Sequence, residues 1–330
     1  MPDLFKRLDV LPRYSHPFLW ADYVELLCLC SKNGLVSRGN LQAQVQEAQD
    51  VQIDVDIHGD INDQVAEPTD ESEVLDDNVS ARWDDIVQRL RSRKNFYHGW
   101  PFKLDGAVLR SVYDEQRADH RFYVSLLIAS SLRLCVATRS NEVTNAFEEI
   151  SYQWLRQSLP RFWKVRPFGA QSTLPDAYVG NLREKLELLA SDITARLQKD
   201  ADEYDPRNTG DGGLDLVAWQ EIGDLRGNIP VIFGQCACSP TDWEEKQMDI
   251  TPAAIEAHIA PQHPGAAYCF VPHDLSLSEK KWQRTVHVKR VVIVDRLRLL
   301  NLFNASDAWG TLTNWSFIAD AMSTEYEAAV

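Results

Sequence analysis

The sequence predicts an α+β fold, in which helices flank a mixed sheet and a mainly helical region precedes that sheet. Apolar residues recur at helical spacing through the first 140 residues, whereas a series of short β-type runs begins after residue 210. Helical patterns precede and separate those runs, an order typical of a sheet packed by helices. We therefore expect a mainly helical N-terminal region, 1–140, and a sheet-containing domain, 141–330.

The N-terminal region is expected to contain three helices. The first lies within 19–37 and ends at an Asn-Gly turn signal. The second lies within 80–96 and begins at Ser80, a residue type favoured at helix N-caps. The third lies within 114–135 and is apolar enough in its second half to be buried. Since no cluster of residues here suggests chemistry, we expect this region to recognise a target or contact a partner.

An acidic segment at about 41–80 interrupts the helical region. It holds twelve Asp or Glu residues and no Lys or Arg, so it contributes −12 of the net charge of −15 and leaves −3 for the other 290 residues. We expect a flexible, solvated loop, because a segment with this composition buries little apolar surface. The net charge alone therefore does not exclude nucleic acid as a partner.

The C-terminal domain is expected to begin with two helices, within 140–159 and 180–198, the first of which has an apolar face that includes Phe147 and Ile150. Apolar runs then predict strands, and two polar segments between them predict helices. The strands lie within 214–219, 229–237, 266–272 and 289–297, and the helices within 239–247 and 276–284.

The composition is typical of a soluble globular protein, and we expect a cytoplasmic location without membrane contact. No apolar run approaches the roughly 20 residues that a membrane-spanning helix needs, and the N-terminus lacks the order of a signal peptide. The six cysteines have neither disulfide-framework nor zinc-site spacing, so we expect buried, reduced thiols.

Two neighbouring strands bring together side chains that suit a metal ion. Asp215 begins the run 214–219, and Gln235 lies near the end of the run 229–237. An aspartate at the start of one strand, beside an oxygen-bearing side chain on the next, can present oxygen ligands to Mg²⁺. The glycines that flank Asp211 allow a close approach by backbone or substrate. Asp211 alone is consistent with a helix or turn cap, and Asp215 alone with a strand cap, but together with the Gln235 strand they are better explained as a site.

The stretch "GDGGLDLVAW" followed by "VIFGQCA" resembles the core of the PD-(D/E)xK nuclease superfamily, and within it the Mrr-like restriction endonucleases. The resemblance covers about the last 60% of the chain and implies a restriction-endonuclease-like sheet. It also implies that Asp215 binds the metal, that Gln235 takes the second acidic position, and that the carbonyl of Cys236 faces the ion. The family often adds a helix acid, which implies Glu148; Glu149 is a rival, and a solvated carboxylate is the alternative.

The chain departs from the family pattern at one catalytic position. Ala237 stands two residues after Gln235, where the family usually has a lysine that stabilises developing negative charge. Some members move that lysine to the following helix, where this chain has Lys246. The alternative for Lys246 is an exposed helix lysine paired with Asp242.

These features together predict a Mg²⁺- or Mn²⁺-dependent endonuclease that cleaves DNA, and the resemblance implies a role in bacterial restriction or antiphage defence. Glutamine and alanine at the two variant positions leave a second hypothesis open: a catalytically degenerate nuclease fold that binds nucleic acid or a partner protein. A third hypothesis is an assembly subunit of a defence complex that contacts its partner through the helical region.

Other charged residues of the C-terminal domain are weaker candidates. We expect His273 to be structural, and Arg296 and Arg298 to share a strand face as surface charges. A dense positive cluster is expected to form a rim that faces phosphate groups. It comprises Lys280, Lys281, Arg284, Lys289 and Arg290.

Overall fold

The computed structural model confirms the α+β class. It describes residues 4–6, 8, 10–12, 17–51, 71–170, 172–205, 207–240, 242–278, 280–312 and 315–324. None of the helices in this part of the chain is both long and apolar enough to cross a bilayer.

The N-terminal elements are mostly helices, with a small antiparallel sheet of strand order β1-β3-β2 that sequence patterns did not predict. Its strands have only two to four residues each, too few to give a periodic signal. In chain order the elements are α1 (Pro17–Cys30), β1 (Leu35–Val36), α2 (Arg38–Val51), α3 (Glu71–Phe96), β2 (Phe102–Asp105), β3 (Val108–Ser111), α4 (Ala118–Ser130) and α5 (Ala137–Ser158).

The acidic segment is not a loop along its whole length. Residues 41–51 belong to α2 and residues 71–80 belong to α3. Leu41 and Val45, one helical turn apart, are 0% and 4% exposed, so this spacing anchors the start of the segment in the core. The prediction of a loop is wrong for these two parts, because they are helical, while residues 52–70 lie outside the described residues.

A five-stranded mixed sheet forms the centre of the C-terminal elements, with strand order β12-β9-β7-β6-β4. Strands β4, β6 and β7 pair antiparallel, whereas β9 and β12 run parallel to β7. The strands are β4 (Trp163–Pro167), β5 (Arg196–Leu197), β6 (Leu216–Gln220), β7 (Val231–Cys236), β8 (Ile259–Ala260), β9 (Ala266–Phe270), β10 (Ser276–Ser278), β11 (Lys281–Trp282) and β12 (Val292–Val294). The helices are α6 (Leu182–Ile193), α7 (Trp243–Lys246), α8 (Pro252–Glu256), α9 (Arg296–Ser306) and α10 (Ser316–Ser323).

Near the C-terminus one prediction is wrong and a second is confirmed only in part. The segment 276–284 is not a helix, because β10 and β11 form an antiparallel hairpin there. The strand predicted within 289–297 ends at Val294, since Asp295 caps α9 by accepting a hydrogen bond from the backbone N–H of Arg298. Arg296 and Arg298 therefore lie on a helix, and Arg296 is fully buried instead of exposed.

The central strands are buried on both faces. On one face Leu216, Ala218 and Ile232 join a large core that also contains residues of α1, α3, α4, α5 and α9. On the other face Val217 and Phe233 join a second core with residues of α6. The first core includes residues on both sides of position 140, which itself falls within α5. The division into domains at that position stays a prediction.

A buried ion network links the N-terminal helices to the start of α9. Asp22 accepts hydrogen bonds from Arg296 at 2.8 Å and from Arg93 at 2.6 Å. Arg93 also contacts Glu25 at 2.7 Å and Asp274 at 3.0 Å. Each of these five side chains is at most 4% exposed. The charges therefore compensate each other inside the protein, as buried charges must.

Candidate functional site

Asp215 and Gln235 lie side by side at the ends of two paired strands. The last paired residues of β6 and β7 are Leu216 and Gly234, and the backbone N–H of Asp215 donates to the carbonyl of Gly234 at 2.9 Å. Both side chains contact the backbone of Cys236. Asp215 Oδ2 accepts a hydrogen bond from the N–H of Cys236 at 2.7 Å, and Gln235 Nε2 lies 3.5 Å from the carbonyl oxygen of Cys236. The expected neighbourhood of these three residues is therefore present.

The environment of Asp215 favours its protonated form. Burial raises the pKa of Asp215 to about 8, and the negative charges of Asp211 and Glu148 act in the same direction. The Cys236 N–H bond and the positive charge of Lys246 oppose this rise but do not cancel it. A cation at this position would offset the cost of ionising the carboxyl group.

Glu148 points from α5 towards the same place. Burial raises the pKa of Glu148 and so does the charge of Asp211, whereas the nearby Ser172 hydroxyl and the charge of Lys185 lower it. The Ser172 hydroxyl is close but makes no hydrogen bond of normal geometry, since its Oγ also has no partner among the described residues. Oε1 of Glu148 is buried without a hydrogen-bond partner among the described residues. A Cβ atom at Gly169 would lie only 3.0 Å from Oε2, so glycine leaves room for the carboxylate.

The alternatives for the helix acid fit less well. Glu148 is partly buried, not a solvated surface carboxylate. Glu149 is engaged elsewhere, because its Oε2 accepts a hydrogen bond from Trp315 Nε1 at 3.1 Å. Of the two adjacent acids, Glu148 is therefore the one that belongs to the candidate site.

Gln235 supplies a second buried oxygen without a partner. Its side chain is 4% exposed, and no described residue donates a hydrogen bond to Oε1. The described part of the chain contains no group of three or more Asp, Glu, His or Cys side chains placed to hold a metal. The oxygen atoms of Asp215, Glu148 and Gln235 nevertheless fit a hard cation such as Mg²⁺, which keeps several waters as ligands.

The two variant positions of the motif differ in what surrounds them. Ala237 is fully buried in the second core, so its methyl group packs where the resemblance implies a lysine. Lys246, at the end of α7, is partly buried, and its charge lowers the pKa of Asp215. Lys246 is therefore not the exposed helix lysine that the alternative describes, because its side chain is partly buried.

Lys185 is a site residue that sequence reasoning missed. This α6 lysine is 1% exposed, and its Nζ donates to the carbonyl of Phe168 at 3.2 Å. Burial lowers its pKa, whereas the negative charges of Asp211, Asp215 and Glu148 raise it. Its signal in the sequence is its place within the apolar stripe of α6, where a lysine is unusual. That stripe includes Leu182, Leu186 and Leu189.

The glycine-rich loop before β6 brings Asp211 to the same cluster. Asp211 Oδ1 accepts a hydrogen bond from the N–H of Gly213 at 2.8 Å, so the expected turn cap is present. Gly212 and Gly213 have φ values of +62° and +83°, which favour glycine. The charge of Asp211 acts on Glu148, Asp215 and Lys185, which makes Asp211 more than a turn cap.

The remaining candidates are His273, which is buried, and the positive cluster, which is exposed. His273 is fully buried, with its ring 5.4 Å from that of Phe18, which fits the structural role expected for it. The positive cluster is solvent-exposed throughout. The backbone around Lys289 is hydrogen-bonded to Gln247, the residue that caps the C-terminal end of α7. The Gln247 side chain accepts a hydrogen bond from the N–H of Lys289 and donates one to the carbonyl of His287, both at 3.0 Å.

The cysteines are free thiols, as expected. Five are buried and Cys236 is partly buried, and burial raises the pKa of each thiol. They offer neither a disulfide framework nor a reactive thiolate.

Comparison of the chain with known protein families, with curated proteins and with solved structures found no match in any of the three.

Proposed function

We propose that this chain is a metal-dependent nuclease that hydrolyses phosphodiester bonds in DNA. One observation carries the proposal: Gln235 and Glu148 have buried oxygen atoms without partners, beside Asp215, whose pKa is raised to about 8. Buried polar atoms are rarely left unpaired in folded proteins, and those that are often mark a functional site. Oxygen donors around a carboxyl group that resists ionisation are what a bound Mg²⁺ or Mn²⁺ would satisfy.

The order of elements also supports this proposal. Helix α5 precedes the antiparallel strands β4, β6 and β7, and the short helices α7 and α8 precede β9, which runs parallel to β7. The resemblance to PD-(D/E)xK nucleases implies a helix, a hairpin, a strand, a helix and a further strand over residues 141–300. Helix α5, the β6–β7 hairpin and the strands β9 and β12 agree with this order, whereas a hairpin of β10 and β11 stands in place of the second helix. Asp215, Gln235 and Glu148 occupy the positions that the resemblance assigns to metal ligands.

The residues of the site have distinct roles in the proposed reaction. Asp215, Glu148, Gln235 Oε1 and the carbonyl of Cys236 would hold the ion, which when bound polarises the phosphate and lowers the pKa of a water molecule. The Cys236 N–H fixes the orientation of the Asp215 carboxylate. Lys246 supplies positive charge beside Asp215, where negative charge develops on the phosphate oxygens.

The exposed positive cluster is the proposed contact for the DNA backbone. It extends from the β10–β11 hairpin, which holds Lys280 and Lys281, to Lys289, whose backbone N–H donates to Gln247 at the end of α7, the helix that carries Lys246. Phosphate contacts of this kind position a duplex without reading its sequence. A role in bacterial restriction or antiphage defence, and a cytoplasmic location, rest on the resemblance and composition alone and remain part of the proposal.

A plasmid-cleavage assay with Mg²⁺ and with Mn²⁺ tests the proposal. We expect the parent to cut, and Asp215→Asn and Gln235→Leu each to lose at least about 100-fold in rate, since each removes a ligand of the ion. Asp224→Asn is the matched control, because Asp224 lies in the β6–β7 loop away from the site. Equal cleavage by the parent and Asp215→Asn would contradict the assignment.

A catalytically degenerate nuclease fold is the second candidate, and two observations favour it. Ala237 is packed in the core, and the described residues offer no group of three acidic, His or Cys side chains for a metal. Such a protein would bind DNA or a partner protein without cutting. DNA binding by the parent, combined with no cleavage and no rise in Tm on adding Mg²⁺ or Mn²⁺, would select this alternative.

A further inference from the structure

A small cavity lies between the β10–β11 hairpin and the N-terminal end of α9, outside the candidate metal site. Its volume is about 120 Å³, and Trp282 of β11 and Leu297 of α9 supply apolar surface to its lining. A closed cavity of about 150 Å³ accommodates a benzene ring. This cavity therefore has room for one six-membered ring, but not for two fused rings.

Asp295 offers the cavity a buried oxygen without a hydrogen-bond donor. Its Oδ1 caps α9 by accepting from the backbone N–H of Arg298 at 3.2 Å. Its Oδ2 is buried, and no described residue donates a hydrogen bond to it. The side chain is 2% exposed and lines the cavity. Because an unpaired buried acceptor destabilises the folded state, a ligand that brings an N–H group would be favoured here.

The protein itself compensates this carboxyl group incompletely. Burial and the charge of Asp274 raise the pKa of Asp295 to about 7. The backbone N–H groups of Arg298 and Leu275, together with the charge of Arg298, lower this pKa but do not cancel the rise. The Arg298 side chain is also engaged elsewhere, since its Nη1 donates to the carbonyl of Ile293. A further donor would therefore add to what the protein supplies.

Two lysines at the rim supply positive charge that no described residue compensates. Lys280 and Lys281 line the cavity from the hairpin, and both are exposed. Neither ammonium group has an ion pair or a hydrogen bond with another residue in the described part of the chain. With Arg298, the described lining has three cations and one acid, which disfavours a free cation as the ligand. A neutral N–H donor that is joined to phosphate fits both the carboxyl group and the rim.

We propose that this cavity binds a cytosine base of DNA, whose exocyclic amino group donates to Asp295 Oδ2 while the adjoining phosphates contact Lys280 and Lys281. Carboxylates recognise cytosine by accepting from this amino group. The base would enter from a single strand or flipped out of a duplex, because pairing occupies its hydrogen-bonding edge. The proposal rests on the DNA contact proposed for the positive cluster, but it does not depend on cleavage.

Fluorescence anisotropy with labelled oligodeoxycytidine and oligodeoxyuridine of equal length tests the proposal. The full chain is used as Asp215→Asn in EDTA, which prevents cleavage, and at pH 8, where Asp295 is mostly ionised. The strands have the same phosphate charge, but uracil has a carbonyl in place of the amino group, and its N3–H lies between two carbonyl oxygens. We expect the cytosine strand to bind about tenfold more tightly, as a hydrogen bond to a charged group implies.

The two ways of failing are distinguishable. Equal affinity for the two strands would overturn the base pocket and leave the proposed DNA contact intact. Absence of binding by either strand would overturn both proposals.

Asp295→Asn and Asp307→Asn form a matched pair at the two ends of α9. Both remove one negative charge, but Asp307 is exposed outside the lining of the cavity. Asparagine still caps the helix at position 295, and it tolerates the positive φ of +49° at position 307. We expect Asp295→Asn to reduce the preference for cytosine below twofold, because an amide can donate to uracil, and Asp307→Asn to retain it. A preference that survives Asp295→Asn would contradict the role of this carboxylate.

The double variant Lys280→Gln with Lys281→Gln tests the phosphate contact separately. We expect it to weaken binding of both strands by the same factor, about fivefold or more, because phosphate contacts contribute affinity without reading the base. The exposed Lys94→Gln is the control on α3. Undiminished binding of both strands by the double variant would overturn the placement of phosphates at this rim.

Discussion

Lys185 and Lys246 are two lysines whose positive charges act on Asp215, and they differ in how deeply they are buried. Lys185 is 1% exposed, and the negative charges of Asp211, Asp215 and Glu148 raise its pKa, whereas Lys246 is partly buried and its charge lowers the pKa of Asp215. Burying a lysine completely has a large desolvation cost, and such a residue is retained only where opposite charges compensate it. We infer that Lys185 holds the acidic cluster together and that Lys246 faces the substrate.

Lys185→Met and Lys246→Met should therefore differ in their effects. We expect Lys246→Met to lower kcat about 100-fold with little change in Tm, because its charge acts on the transition state. We expect Lys185→Met to lower both kcat and Tm, since the carboxyl groups would lose a buried counter-charge. Plasmid cleavage and thermal unfolding measure the two effects, with the exposed Lys94→Met as control. Full activity of Lys246→Met would refute its role.

Asp215 should make stability depend on pH in the absence of metal. Its pKa is about 8 in the folded protein and 3.8 in the unfolded chain, so the folded state retains a proton that the unfolded state has released. The free energy of unfolding should thus fall as pH rises from about 4 to 8. Asp215→Asn lacks this loss and should be more stable than the parent by about 1–3 kcal/mol at pH 8.

Urea unfolding in EDTA at pH 5, 6, 7 and 8 measures this difference. The advantage of Asp215→Asn over the parent should grow with pH, while Asp224→Asn should give a flat difference. An advantage that stays constant from pH 5 to 8 would show that burial of Asp215 is less than its surroundings indicate.

At the scale of elements, local pattern predicted the long or strongly apolar segments and failed for the short ones. The apolar face predicted α5, because a helix buried on one side has apolar residues at helical spacing. The continuous apolar runs predicted β6, β7 and β9, because strands buried on both faces have few polar residues. The hairpin of β10 and β11 was assigned to a helix, since three- and two-residue strands carry no period. Strand β4 was missed because its partner β6 lies some fifty residues further along the chain.

The site was predictable to the extent that its residues share a local motif. Asp215 comes shortly after two glycines, and Gln235 lies near the end of an apolar run, so the neighbouring residues indicate both positions. Lys185 belongs to the site only because α6 packs over the sheet. Arg296 was assigned to a surface strand, because its partner Asp22 lies 274 residues away and no local pattern reports it.

The glycine-rich loop should tolerate no side chain at Gly213. A Cβ atom there would lie 2.6 Å from Cβ of Asp249, and the φ of +83° is already unfavourable for other residues. Gly223 also has a positive φ, +94°, but a Cβ atom at that position would have no neighbour within 4 Å. We expect Gly213→Ala to lose about 1–3 kcal/mol more stability than Gly223→Ala, measured by urea unfolding, because it adds a clash to the strain. Equal losses would mean that the loop and Asp249 move apart freely.

At the scale of the whole molecule, the buried ion network should stabilise the protein most when it is intact. Burial opposes ionisation of Asp22, but Arg296 and Arg93 outweigh it and hold its pKa at about 2. Asp22→Asn would leave two buried arginines short of negative charge, which typically costs about 3–5 kcal/mol. Urea unfolding at pH 7 should show this loss, whereas the exposed Asp84→Asn should not change stability. A loss below about 1 kcal/mol would show that Glu25 and Asp274 suffice.

The bond between Asp22 and Arg296 also constrains how the protein can be made. Synthesis proceeds from the N-terminus, so α1 leaves the ribosome long before α9, its partner in the network. Until Arg296 emerges, the carboxylate of Asp22 lacks its bidentate partner, and the core shared by α1 and α9 stays incomplete. The N-terminal helices therefore cannot reach their final packing until α9 has been synthesised and has left the ribosome.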